Sequence, residues 1–148
     1  MSAASNESEV RLVVFRLADE DYALPIEGVH SVERIMPTTR VPRAPHFVDG
    51  VINLRGEVVP VINLRRRLGL PAIENNEDMH IVIALAQEQL VGLLVDEISH
   101  VLSLPKTAIQ PAEQVIGETN RNFLRGVGKW EDSLVVLLDL ERVVDPEM

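Results

Sequence analysis

Residues 50–69 read GVINLRGEVVPVINLRRRLG, and the reading of this stretch decides the fold. Val51, Ile52 and Leu54 run into a turn at Arg55-Gly56-Glu57, and Val58 to Leu64 run out of it. Two β-branched, apolar runs flanking a glycine-containing turn predict a β-hairpin. Beyond Asn63 the spacing changes. Leu64 and Leu68 lie four apart among Arg65, Arg66 and Arg67, a single helical turn that Gly69 and Pro71 stop.

The pattern recurs near the end of the chain, where residues 126–145 read GVGKWEDSLVVLLDLERVVD. At an offset of 126 − 50 = 76, Gly126 falls on Gly50, Val135 on Val59, Asp139-Leu140 on Asn63-Leu64 and Arg142 on Arg66. Upstream, an offset of 98 − 29 = 69 pairs Val29 with Ile98, Val32 with Val101 and Ile26 with Val95. The difference, 76 − 69 = 7, is extra loop in the second half around 112–122, where a polar excursion at 114–122 contains Gly117.

Each half therefore predicts three strands, a proline-containing loop, a hairpin and one helical turn. The strands are expected over 11–17, 22–26 and 29–35, and again over 80–85, 90–95 and 98–104, with Asp96-Glu97 turning the chain between the last two. The loops carry Pro37, Pro42 and Pro45 in one half and Pro105 and Pro111 in the other, and 70–78 connects the halves. Five short, twisted strands close most easily into a small barrel, which leaves few edges exposed. Two halves of this size are marginal alone, so a shared hydrophobic core is expected. The predicted class is all-β: one domain over 10–148, its first barrel mainly within 11–70 and its second mainly within 79–145, after a disordered leader at 1–9.

Composition narrows the function. The 148 residues contain no cysteine, which excludes disulfide frameworks, thiol catalysis and zinc–thiolate sites. A net charge of −9 argues against nucleic acid as a partner, because that affinity rests on neutralising phosphates. The N-terminal MSAASNESE has neither the basic nor the apolar region of a targeting peptide, and no apolar run reaches membrane-spanning length. A soluble cytoplasmic protein is expected, without membrane insertion. The charge is uneven, however. Arg34, Arg40, Arg43, Arg55, Arg65, Arg66 and Arg67 stand against only Asp49 and Glu57, a local excess of +5 within 34–67. Such a run is either a solvated face or a surface that orients an acidic partner.

Signatures of catalysis are missing. His30, His46, His80 and His100 form no metal-ligand spacing, so neither a metal nor an organic cofactor is expected. No nucleophile elbow or phosphate-cradling glycine loop occurs. Asp96-Glu97 would point to opposite faces of a strand, and the His30-Ser31 and Ser99-His100 neighbours have no third residue to orient them. Candidate functional residues are instead those that suit an interface. Arg55 occupies a turn where a smaller residue would serve, as a solvated arginine or as an anchor on a partner. Its counterpart is Glu131-Asp132, so the halves have diverged in charge there. Val29, Val32, Ile98 and Val101 are equivalent apolar positions. All are core, or some line an apolar cleft between the halves that would suit a helix.

The run GVINLRGEVVPVINLRRRLG, preceded by PRAPHFV and followed by GLLVDEISHVLSLP, resembles the CheW family of chemotaxis coupling proteins from about Arg11 to Val144. The resemblance implies two intertwined five-stranded SH3-like β-barrels around a shared core. It implies a non-enzymatic adaptor linking the cytoplasmic tip of chemoreceptor helical hairpins to the regulatory domain of the histidine kinase CheA, in arrays at the inner membrane. Gly50 and Arg55 match the family's GVxNLRG signature and are receptor-binding candidates on that ground, while Val29, Ile98 and Val101 fall on apolar positions of its receptor-binding groove. The residues facing the kinase are not placed. Ser31 stands where many members have an acid, so Ser31 joins the receptor-side candidates and a receptor system with another output (pili, development, a second messenger) stays open. Asn63 stands where Asp is usual and is expected to cap the following turn about as well.

Overall fold

The computed structural model describes residues 8–115 and 123–146. The key stretch is a hairpin, strand β4 (Val48–Leu54) against β5 (Glu57–Asn63), followed by the single helical turn α1 (Leu64–Arg67). Arg55 and Gly56 both have positive φ, 51° and 93°, which is the two-residue turn whose twist matches paired strands. The Asn53 side chain closes it by accepting the Gly56 amide at 2.9 Å. Its counterpart joins β10 (Leu124–Trp130) and β11 (Ser133–Leu138) and leads into α3 (Leu140–Val144).

The three expected strands before each hairpin also form. They are β1 (Glu9–Leu17), β2 (Glu20–Pro25) and β3 (Val29–Arg34), then β6 (His80–Ala86), β7 (Gln89–Val95) and β8 (Glu97–Pro105). The β1–β2 and β6–β7 turns are Ala18-Asp19 and Gln87-Glu88, all four with positive φ. Residues 1–7 of the expected leader lie outside the described residues, but Glu9 already stands in β1, opposite Pro105. The second half adds the short β9 (Ile109–Pro111) and the turn α2 (Ala112–Val115). Of the expected excursion at 114–122, residues 116–122 lie outside the described residues.

Two sheets result, and they do not divide the chain at the connector. One runs β3-β6-β7-β5-β4, and the other runs β8-β1-β2-β11-β10-β9. The hairpins β1–β2 and β6–β7 have changed places, so 11–25 belongs with the second half's sheet and 80–95 with the first half's. The expected bounds of 11–70 and 79–145 are thus crossed by both hairpins. Intertwining follows directly, and each exchanged hairpin is held by one parallel pair, β7 with β5 or β2 with β11, and one antiparallel pair, β6 with β3 or β1 with β8.

Three apolar clusters fill the space between and inside the sheets. Ile52, Leu54, Val59, Val61, Ile81 and Ile83 fill one barrel, and Leu12, Val14, Leu102, Leu104, Val135 and Leu137 fill the other. Between them lies a third cluster built from both sheets, including Phe15, Leu17, Leu24, Val82, Leu93 and Val95. A strand that alternates sides can feed two cores at once. Leu12 and Val14 point into their barrel, and Phe15 and Leu17 into the shared core.

Candidate partner-binding surface

Strands β3 and β8 are equivalent edge strands, one at the end of each sheet. Residues directly opposite in an antiparallel pair share a face. Val32 lies opposite Val82, which lies opposite Leu93. In the other sheet Val101 lies opposite Val13, which lies opposite Leu24. The offset of 69 relates all three positions. In each row the inner two residues are buried and the edge valine is not, with Val32 40% and Val101 52% exposed. The shared core therefore reaches the surface at two matched valines. Val29 and Ile98, opposite Ala84 and Phe15, are half-buried and pack on that core. Of the four equivalent positions, two belong to the core's margin and two to its exposed rim.

Two of the expected residues, Ser31 and Arg55, are joined through a third that was not expected, Glu33. Arg55 is 69% exposed and its Nη2 donates to Glu33 Oε2 at 2.9 Å, while the Ser31 hydroxyl donates to the same oxygen at 2.9 Å. The Arg55 guanidinium, and after it Ser31, hold the Glu33 carboxyl below its ordinary range. The missing acid at Ser31 thus has a neighbour, Glu33, two positions along β3. The charge divergence of the two hairpin turns also gains a reason within the fold. Glu33 corresponds to buried Leu102, so at this position only the first half carries a carboxylate for a turn arginine to reach.

Gly50 is placed elsewhere. It is buried, and a Cβ there would lie 2.3 Å from the Thr39 carbonyl oxygen. Thr39 and Val51 exchange both backbone hydrogen bonds at 2.9 Å, which brings the proline-rich loop onto β4. Gly50 shapes the surface from beneath and offers nothing to a partner directly. Gly126 does the same under Gln110, its added Cβ lying 2.6 Å from that carbonyl.

Two arginines that sequence reasoning left in the basic run have specific interior roles. Arg65 grips Asp96 with two hydrogen bonds of 2.6 and 2.9 Å, and Asp96 also accepts the Ala18 amide at 2.9 Å. Burial pushes the Asp96 carboxyl up, but Arg65 and the Ala18 amide outweigh it and hold the group below its usual range. Arg67 is buried between the rings of Phe47 and Phe123, 4.0 and 4.6 Å from their centroids. Its guanidinium donates to the carbonyls of Val143 (2.7 Å), Arg142 (3.2 Å) and Asp145, closing the end of α3. Desolvation lowers its affinity for the proton, and Asp145 opposes that. The only signal for either role was numerical: at the offset of 76 Arg67 falls on buried Val143, and Phe47 on Phe123.

The candidates for catalysis do not assemble. Ser99 Oγ lies 2.7 Å from His100 Nδ1, but His100 stacks on Trp130 at 5.2 Å and its buried Nε2 has no partner among the described residues. No group of three potential metal ligands occurs among the described residues. Among them, too, no helix is long and apolar enough to cross a membrane.

Comparison with known proteins agrees with this geometry. The sequence profile of the CheW-like domain matches residues 11–147. The chemotaxis protein CheW of Rhizobium meliloti is 36% identical over 92% of this chain and 88% of its own length. That of Helicobacter pylori is 34% identical over 94% and 84%. The crystal structure of the scaffolding protein TtCheW from Thermoanaerobacter tengcongensis superposes with a TM-score of 0.85 at 34% identity, covering 92% of both chains. With its swapped hairpins, shared core and NLRG turn, this chain belongs to the CheW-like domain family of chemotaxis scaffold proteins.

Proposed function

We propose that the chain is a non-catalytic adaptor that couples the cytoplasmic tips of chemoreceptor helical hairpins to the regulatory domain of CheA. The observation that carries this reading is the matched pair of apolar rims. Val32 and Val101 prolong the shared core onto the surface at the edges of both sheets, with Val29 and Ile98 behind them. An amphipathic helix buries its apolar face against exposed apolar positions of this kind, and polar groups near them set its register. The Ser31–Glu33–Arg55 cluster stands on the other face of β3 from Val32 and has no counterpart at the equivalent position of β8, so the two sides of a bound hairpin would meet different surroundings. Recruitment to receptor arrays at the inner membrane follows from that coupling.

The test is co-sedimentation with receptor fragments and CheA, paired with kinase activation in reconstituted arrays. Val101→Glu should weaken receptor association by at least about tenfold, as loss of a central apolar anchor does. Arg55→Glu places two acids together at Glu33 and should have a similar effect. Full kinase activation by both folded variants would remove these residues from the receptor surface.

A further inference from the structure

The seven arginines of the basic run are sorted by the fold. Arg55 pairs with Glu33, Arg65 with Asp96 and Arg66 with Asp49, while Arg67 is spent on carbonyls. Arg34, Arg40 and Arg43 remain, with no ion-pair partner among the described residues. Arg40 and Arg43 both line one cleft of about 800 Å³, between the β3–β4 loop, α1 and the connector. Arg66 lies on its wall, and Asp49, the only acid there, is already engaged by Arg66 at 3.3 Å and by the Asn63 amide at 3.4 Å.

Two further features show what the cleft would take. Val41 (43% exposed) and Ile73 (42%) lie in its lining, and both are large aliphatic residues left in water. Pro42 and Pro45 stiffen the loop that carries them, and Arg43 is held at φ +66°, a conformation non-glycine residues adopt rarely. The second half is an internal control. Its corresponding loop bridges back to its hairpin in the same way through β9, and the bridging residues Ile109, Gln110 and Pro111 are all uncharged. The backbone bridge does not need these charges.

We propose that this cleft is a second docking site, separate from the apolar rims, for an extended acidic segment of a partner protein that carries aliphatic side chains among its carboxylates. Arginine forks suit carboxylates and phosphates alike, but a free phosphate would leave Val41 and Ile73 uncovered. An acidic, apolar peptide covers both kinds of group, and the protein's net charge of −9 keeps such a segment off the rest of its surface.

The experiment uses the full chain with neither receptor nor kinase, so it succeeds or fails apart from the coupling reading. The probe is a short fluorescein-labelled peptide of alternating glutamate and leucine, read by fluorescence polarisation and by amide chemical shifts. Saturable binding is expected, with shifts confined to 38–49, 63–66 and 73–75. It should weaken by at least about tenfold in an Arg40→Glu, Arg43→Glu double variant, both positions being exposed. A glutamine–leucine peptide and a Val41→Ser, Ile73→Ser variant should each lose several-fold. The proposal is overturned by absence of binding, by equal binding of the glutamine peptide or of the arginine variant, or by shifts that map elsewhere. Complete displacement by equimolar pyrophosphate would also overturn it, in favour of a phosphate site, and so would shifts caused by self-association of the chain.

Discussion

The two halves of this molecule share their backbone and differ in their charges. Both use two-residue hairpin turns, a buried glycine under the crossing loop, and an Asx cap on the closing helical turn, where Asn63 accepts the Arg66 amide and Asp139 the Arg142 amide. The polar positions have parted. Arg55, Arg65 and Arg67 correspond to Glu131, Glu141 and Val143, and Glu33 corresponds to Leu102. What the halves retain is what the barrel requires of its chain. What they do not retain marks where one half holds the other, or where a surface has acquired a separate use.

The comparison can be broken hardest at the glycines. Gly50→Ala drives a Cβ into the Thr39 carbonyl, a backbone group that cannot swing away, and should cost about 4 kcal/mol in urea unfolding. Gly126→Ala should cost slightly less, since the corresponding approach is 2.6 Å rather than 2.3 Å. Arg67→Met tests the opposite case, a residue with no polar counterpart. It keeps the volume between Phe47 and Phe123 but leaves the α3 carbonyls without donors, and should lower stability by about 3 kcal/mol.

Asp96→Asn should lower stability by about 2 kcal/mol at pH 7, because the Arg65 pair is only partly buried. The sign of its pH dependence is set by a folded-state carboxyl held below its unfolded value. That contribution is complete above the ordinary carboxylate range and disappears as pH falls through and below it. Wild type and variant should therefore converge in stability as pH falls through and below the ordinary carboxylate range, and a constant gap would contradict the assignment. The smallest effect is at the caps. Asn63→Ala and Asp139→Ala should each cost about 1 kcal/mol by thermal unfolding. Asn63→Asp should gain nothing despite keeping the cap, because the Asn63 amide donates to Asp49 and a carboxylate there would repel it.

The repeat, the strands and the closing turns were legible because they depend on neighbours in sequence: apolar alternation, paired turn residues, an Asx before a Leu. The exchange of hairpins was not legible in the residues themselves, and only the family resemblance implied that the barrels intertwine. Residues 11–25 and 80–95 carry the same apolar pattern, so either could complete either sheet, and local sequence says nothing about which. The interior roles of Arg65 and Arg67 were hidden for a related reason, since their partners lie 31 and 76 residues away. Val32 and Val101 were recognised as equivalent apolar positions, but their exposure depends on being at sheet edges, which only the topology supplies. Gly50 was read as a surface residue because it sits beside Arg55 in one motif, whereas the motif mixes a buried spacer with an exposed side chain.

The exchange of hairpins also sets a timetable. The first strand finds its outer neighbour only at β8, with Glu9 opposite Pro105, a separation of 105 − 9 = 96 residues. A hairpin such as β1–β2 closes in roughly 1–10 μs, but synthesis at about 5–20 residues per second takes seconds to deliver β8. Throughout that interval Leu12, Val14 and Phe15 have no core, because both clusters they enter are completed by later residues. No cut in the connector can yield an independently folded front half. A nascent chain that stalls there holds an unfinished edge, because each half supplies residues to the other's core.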